Sequence, residues 1–152
     1  MAFSTITNEP LLSKAIVVDN SVMMRWLFND GSEKDKHYAQ SILNSISSNK
    51  LQVIVPYIWV YEASIVVNFY KKKGDISVTT AKKHLKSLFD LCHVIRGEET
   101  PEVLFDFSNN HALTSYDSSY VMLALHYNIE IATLDKEIIR ESKNLNISLM
   151  HE

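Results

Sequence analysis

The stretch "KAIVVDNSVMMRWLF", residues 14–28, decides the fold. Ile16, Val17 and Val18 follow one another with no polar alternation, the pattern of a short strand buried on both faces. Such a strand needs helices on either side of its sheet, and "NSVMMRWLF" directly after Asp19 predicts the first of them.

The rest of the chain repeats that alternation. Residues 32–50 place Tyr38, Ile42 and Ile46 on one face of a second helix, and "LQVIV" at 51–55 is a second strand that Pro56 stops. Pro56 also suits the first turn of a helix that runs to Gly74, with Lys71, Lys72 and Lys73 at its negative end. Helices are predicted over 77–91, 100–113, 115–128 and 135–144, with strands at "CHVI" (92–95), "IEIATL" (129–134) and "NISLM" (146–150). Strand–helix alternation from end to end predicts an α/β three-layer sandwich, a mainly parallel sheet flanked by helices.

Composition narrows the function. With 152 residues, 46% hydrophobic and 22% charged, the chain has the makeup of one globular domain, here placed at 15–152 behind a flexible leader at 1–14. The leader carries neither the basic start nor the apolar run of a secretory signal. The apolar stretch "VPYIWVY" is far shorter than the roughly 18–20 residues of a membrane span, so no membrane association is expected. The single cysteine, Cys92, excludes an internal disulfide and suits a reducing, cytoplasmic setting, where it reads as a small buried apolar residue. Three scattered glycines, 31, 74 and 97, exclude a phosphate-cradling P-loop or a dinucleotide fingerprint, and with them ATPases, GTPases and classical dehydrogenases. A net charge of −3 argues against a surface that coats nucleic acid broadly, leaving two local basic strips, at 70–74 and 81–86.

The acids are more informative. In a parallel α/β sheet the carboxyl ends of the strands and the starts of the following helices share one edge. Asp19 ends the first strand, Asp135 ends "IEIATL", Asp117 opens the helix leading into that strand, and Glu62 lies early in the helix after Pro56. Four carboxylates therefore converge on one rim. Ile65, Val66 and Phe69, at i+3, i+4 and i+7, make the face of Glu62 apolar, and Tyr120, Val121 and Ala124 do the same for Asp117. Singly, Asp117 and Asp135 also read as helix-start charges and Glu62 as a buried partner of an arginine. Together they would repel and raise one another's pKa values unless a cation sat among them. Oxygen donors without cysteine or histidine at ligand spacing favour Mg²⁺ or Mn²⁺ over zinc. His111, the histidine nearest Asp117 in sequence, reads as a packing or capping residue.

The segments "VVDNSVMMRWL", "VYEASIV", "TSYDSSYVMLAL" and "ATLDKEI" resemble, in order, the four acidic motifs of PIN-domain ribonucleases, most closely the toxin members of bacterial toxin–antitoxin modules. The resemblance spans roughly residues 15–150. It implies a metal-dependent endoribonuclease acting on single-stranded or structured RNA, with Asp19, Glu62, Asp117 and Asp135 as catalytic metal ligands. Ser21 matches the small hydroxyl residue that often follows the first acid and would orient a ligand or water; it reads equally as the N-cap of a helix starting near Val22. Lys71, Lys72, Lys73, Lys82 and Lys83 are the candidates for an RNA path. The resemblance further implies a homodimer and a small antitoxin that inhibits it. The rival reading is a catalytically silent domain of the same fold that serves binding or assembly. A phosphoryl-accepting receiver domain would need a second acid by the first strand and a lysine after the last. A haloacid-dehalogenase phosphatase would need an aspartate at position 21, which is serine.

Overall fold

The computed structural model describes residues 14–97 and 99–151, and the leader, Lys14 apart, lies outside them. The first strand is β1 (Ala15–Val18), followed by α1 (Asn20–Leu27) and α2 (Glu33–Asn49). Next come β2 (Gln52–Pro56), α3 (Ile58–Lys73), α4 (Val78–Leu91) and β3 (Cys92–Ile95). The chain continues through α5 (Pro101–His111), α6 (Ser115–Tyr127), β4 (Ile131–Ala132) and α7 (Lys136–Asn144). The four strands form one sheet in the order β3-β2-β1-β4, and every pairing is parallel. This is the α/β three-layer arrangement that the alternation predicts.

Strand burial follows from that layering. Ile16, Val17, Val18, Val53, Ile54, Val55, Val94, Ile95 and Ile131 are all buried, because helices cover both faces of the sheet. Cys92 joins this core, and burial pushes its thiol up to about 12. α6 is apolar on nearly every side, with Ser118, Tyr120, Val121, Leu123 and Ala124 buried, as befits a helix held inside rather than laid on the surface. The helix ends are chemically marked: Ser32, Ser77, Thr100 and Thr114 accept first-turn N–H bonds, and Gly74 closes α3 at φ 87°. Among the described residues, no helix is long and apolar enough to cross a membrane.

Three sequence expectations are corrected. Pro56 is not in the first turn of a helix: it is the last residue of β2, paired with Ile95, and Tyr57 takes the position before α3. β2 continues through Pro56 because the partner carbonyl of Ile95 is taken up by the N–H of Tyr57, 2.9 Å away, so proline's missing donor leaves no gap there. The expected strand at 129–134 contracts to two residues, and "NISLM" makes only an isolated parallel bridge between Ile131 and Leu149. With β4 so short, the following segment has one residue to pair with: Ile131 accepts the Met150 N–H at 2.9 Å and donates to Ser148 O at 3.0 Å.

Candidate active site

The sheet register fixes where the first acid stands. Val18 pairs with Ala132, so Asp19 and Thr133 leave the ends of β1 and β4 at the same level. Asp19 occupies the N-cap position of α1, yet its side chain makes no capping bond. Instead its Oδ2 accepts the hydroxyls of Ser21 at 2.5 Å and Thr133 at 2.9 Å. Ser21 lies inside α1, which overturns its reading as an N-cap; its oxygen also accepts the N–H of Leu134 at 3.1 Å. Thr133 in turn accepts the N–H of Asp135 at 3.0 Å, so two small hydroxyls join the ends of β1 and β4.

The other three acids reach the same edge from three helices. Asp135 is the N-cap of α7, its Oδ1 accepting the N–H groups of Glu137 at 2.8 Å and Ile138 at 3.0 Å. Asp117 sits in the first turn of α6, where Thr114 already performs the capping by accepting the Asp117 N–H at 3.1 Å. Glu62 is early in α3, and its Oε1 accepts the hydroxyl of Tyr120 from α6 at 2.8 Å.

The face of Glu62 is not the core face. α3 buries Trp59, Ala63, Val67 and Tyr70, whereas Ile65 and Phe69 are 64% and 58% exposed. Glu62 is half-buried because α6 packs beside it through Tyr120, a contact that helical spacing within α3 cannot reveal.

The electrostatics record that the four acids are neighbours. Burial is the first cause lifting Glu62 to about 7, with the charges of Asp19 and Asp117 adding to it and the Tyr120 hydroxyl opposing it. Asp117 is lifted to about 6 by burial, then by Asp135 and Asp19, against the bond from Thr114. Asp19 is also raised, by burial first, while Ser21 and Thr133 pull it down and Asp135 pushes it up. Mutual repulsion, the cause expected from sequence, is therefore real but secondary to desolvation. Among the described residues none of the four acids enters an ion pair, and the arginine partner considered for Glu62 is a tyrosine instead.

Among the described residues, no three carboxylate, imidazole or thiol groups stand close enough to hold one ion as they are placed. The donor set nevertheless suits a hard divalent cation. All four side chains offer oxygen, and Mg²⁺ keeps several waters and needs only one or two direct carboxylates. Glu62 and Asp135 each engage one oxygen in a hydrogen bond and retain the other.

Lys71, Lys72 and Lys73 lie exposed in the last turn of α3, about 14–16 Å along the helix axis from Glu62. Lys82 and Lys83 are exposed on α4. The separation along α3 sets its three lysines apart from Glu62. His111 packs on Phe107 and its Nδ1 lies 2.8 Å from Glu141 Oε1, tying α5 to α7. Sequence reasoning missed Thr133 and Tyr120. Their signal is chemical, since a hydroxyl in an otherwise apolar buried segment must find a partner.

A family model described as PIN domain matches residues 16–143. The fold is similar to the crystal structure of PAE2754 from Pyrobaculum aerophilum, with TM-score 0.62 and 21% identity over 90% of this chain and 88% of that one. It is similar also to the crystal structure of FitAcB from Neisseria gonorrhoeae, with TM-score 0.60 and 14% identity over 90% of this chain and 96% of that one. No curated protein matches the chain in sequence. A parallel β3-β2-β1-β4 sheet, an acidic rim at its carboxyl edge and a family match over most of the sequence lead to one assignment: this chain belongs to the PIN domain family.

Proposed function

We propose that the acidic rim is the site of a metal-dependent endoribonuclease, hydrolysing phosphodiester bonds of single-stranded or structured RNA with Mg²⁺ or Mn²⁺. One observation carries this reading: four carboxylates from four separate elements lie within each other's fields, and two of them are lifted to about 6 and about 7 with no basic side chain among their causes. Such an arrangement opposes folding of the bare protein and suits one that binds cations. A divalent ion there would supply an activated water and charge stabilisation at the scissile phosphate.

The protein's own residues divide the remaining work. Asp19 and Asp117 are the direct ligands of first choice, with Glu62 and Asp135 ligating directly or through water. Ser21 and Thr133 hold Asp19 in one orientation through its Oδ2. Residues 15–152 act as one nuclease unit, and the lysines of α3 and α4 serve RNA further from the cleaved bond.

Similarity of the four motifs to the toxin members of the family supports a cytoplasmic toxin restrained by a small antitoxin protein. Tyr61, Ile65 and Phe69 form an exposed apolar stripe on α3, which supports a protein partner there, a second copy or the antitoxin. The test is cleavage of a defined single-stranded RNA by the purified protein in Mg²⁺, in Mn²⁺ and in EDTA. Cleavage confined to the metal-containing samples is the expected result, and equal cleavage in EDTA, or none in any sample, refutes the reading.

A further inference from the structure

We infer that Tyr120 is a positioning residue of the acidic rim, fixing Glu62 so that one carboxylate oxygen alone is left to meet a cation; this rests on the metal-dependent reading above. Tyr120 is fully buried, and its ring would fill the same space as phenylalanine. The hydroxyl is therefore surplus to packing, and burying it without a partner would cost about 1–3 kcal/mol. Its acceptor is the Oε1 of Glu62, 2.8 Å away on a different helix. One buried hydroxyl thus holds the Glu62 carboxylate from the helix that carries Asp117 one turn earlier.

The geometric consequence concerns freedom. A glutamate has three side-chain torsions, and half-buried Glu62 would otherwise present either oxygen in several rotamers. With Oε1 held, Oε2 is the atom that remains, and its position is tied to α6. Glu62 and Asp117 then move as one body, so a cation meets a preset pair rather than two independently wandering groups.

The test is Mn²⁺ binding, followed by electron paramagnetic resonance without RNA, for wild type, Tyr120→Phe, Glu62→Gln and the double variant. Tyr120→Phe should keep the wild-type circular dichroism spectrum and bind Mn²⁺ about tenfold more weakly, the lower end of what a hydrogen bond to a charged group contributes. In the Glu62→Gln background the same substitution should change affinity by less than about twofold, because the hydroxyl acts through the carboxylate. In RNA cleavage, Tyr120→Phe should raise the metal concentration needed for half-maximal rate more than it lowers the rate at saturating metal. Unchanged Mn²⁺ affinity in Tyr120→Phe, or an equal loss in both backgrounds, overturns the inference while leaving the nuclease reading in place. Wild-type affinity in Glu62→Gln instead removes Glu62 from the cation site and overturns the inference, whereas absence of Mn²⁺ binding by the wild type overturns both. Should Tyr120→Phe fail to fold, the hydroxyl proton resonance of wild-type Tyr120 decides: it should shift on adding Mg²⁺, and indifference to Mg²⁺ refutes the inference.

Discussion

The hydroxyl of Thr133 donates to Asp19 Oδ2 at 2.9 Å while its oxygen accepts the N–H of Asp135 at 3.0 Å, so a single side chain links the first and last acids of the rim. Both Thr133 and Asp19 are buried, at 4% and 5% exposure, which leaves water little opportunity to substitute for the bond. Thr133→Val keeps the shape and removes the hydroxyl. Urea melts should register a loss of about 1–3 kcal/mol, the effect of leaving a buried acceptor one donor short. RNA cleavage should fall by about 10- to 100-fold, as when a group that orients a metal ligand is lost. A variant as stable and active as wild type would show the link to be idle.

Glu62→Gln tests the stability of the bare rim. The folded carboxyl lies near 7 against 4.5 in the unfolded chain, so between those values the native state holds the extra proton. Stability attributable to this group is complete below about 4.5 and is lost as pH rises through about 7. In EDTA at pH 7.5 the glutamine variant should therefore be more stable than wild type, by on the order of 1–3 kcal/mol after allowing for solvent screening. At pH 4 the advantage should vanish. Urea melts at the two pH values decide it, and a variant less stable than wild type at pH 7.5 would make Glu62 a structural acid.

Asp19→Asn and Asp117→Asn remove one charge each with little change of shape. Each should lower RNA cleavage by more than about 100-fold, beyond the effect of groups that merely orient a ligand. Circular dichroism should be unchanged, since Asp19 caps nothing with its side chain and Thr114 caps α6 in place of Asp117. Wild-type cleavage by either variant would remove that acid from the site.

Metal dependence separates ion chemistries. Mg²⁺ or Mn²⁺ should restore cleavage after EDTA and raise the wild-type melting temperature, by mass action on the native state. Ca²⁺, with longer and looser coordination, should stabilise the protein without restoring cleavage. Equal turnover in Ca²⁺ would refute a requirement for compact octahedral geometry.

Much of this architecture was legible because burial on two faces leaves a signature in short β-branched runs such as "AIVV", and because caps such as Thr100 and Thr114 punctuate the helices. The alternation of strand and helix by itself assigns the four acids to one edge. What sequence could not convey was contact between elements. Glu62 sits on a stripe whose Ile65 and Phe69 face outward, and the approach of α6 explains its burial. Thr133 is a partner of Asp19 through a register between strands 114 positions apart in the chain. The lengths of β4 and of the segment after α7 depended likewise on which neighbour each could find, a property of the sheet and not of either segment.

α6 buries Ser118, Tyr120, Val121, Leu123 and Ala124 and bears Asp117 at its start and Tyr120 a turn later, so its seating in the core and the spacing of the acids are one and the same variable. Selection for loss of activity in living cells would then find a target wider than the acids. Bulky replacements at buried Val121 or Ala124, neither of which carries a polar group, would tilt the helix and silence the protein while it still folds, and inactivating alleles should accumulate along this helix as readily as at the carboxylates themselves.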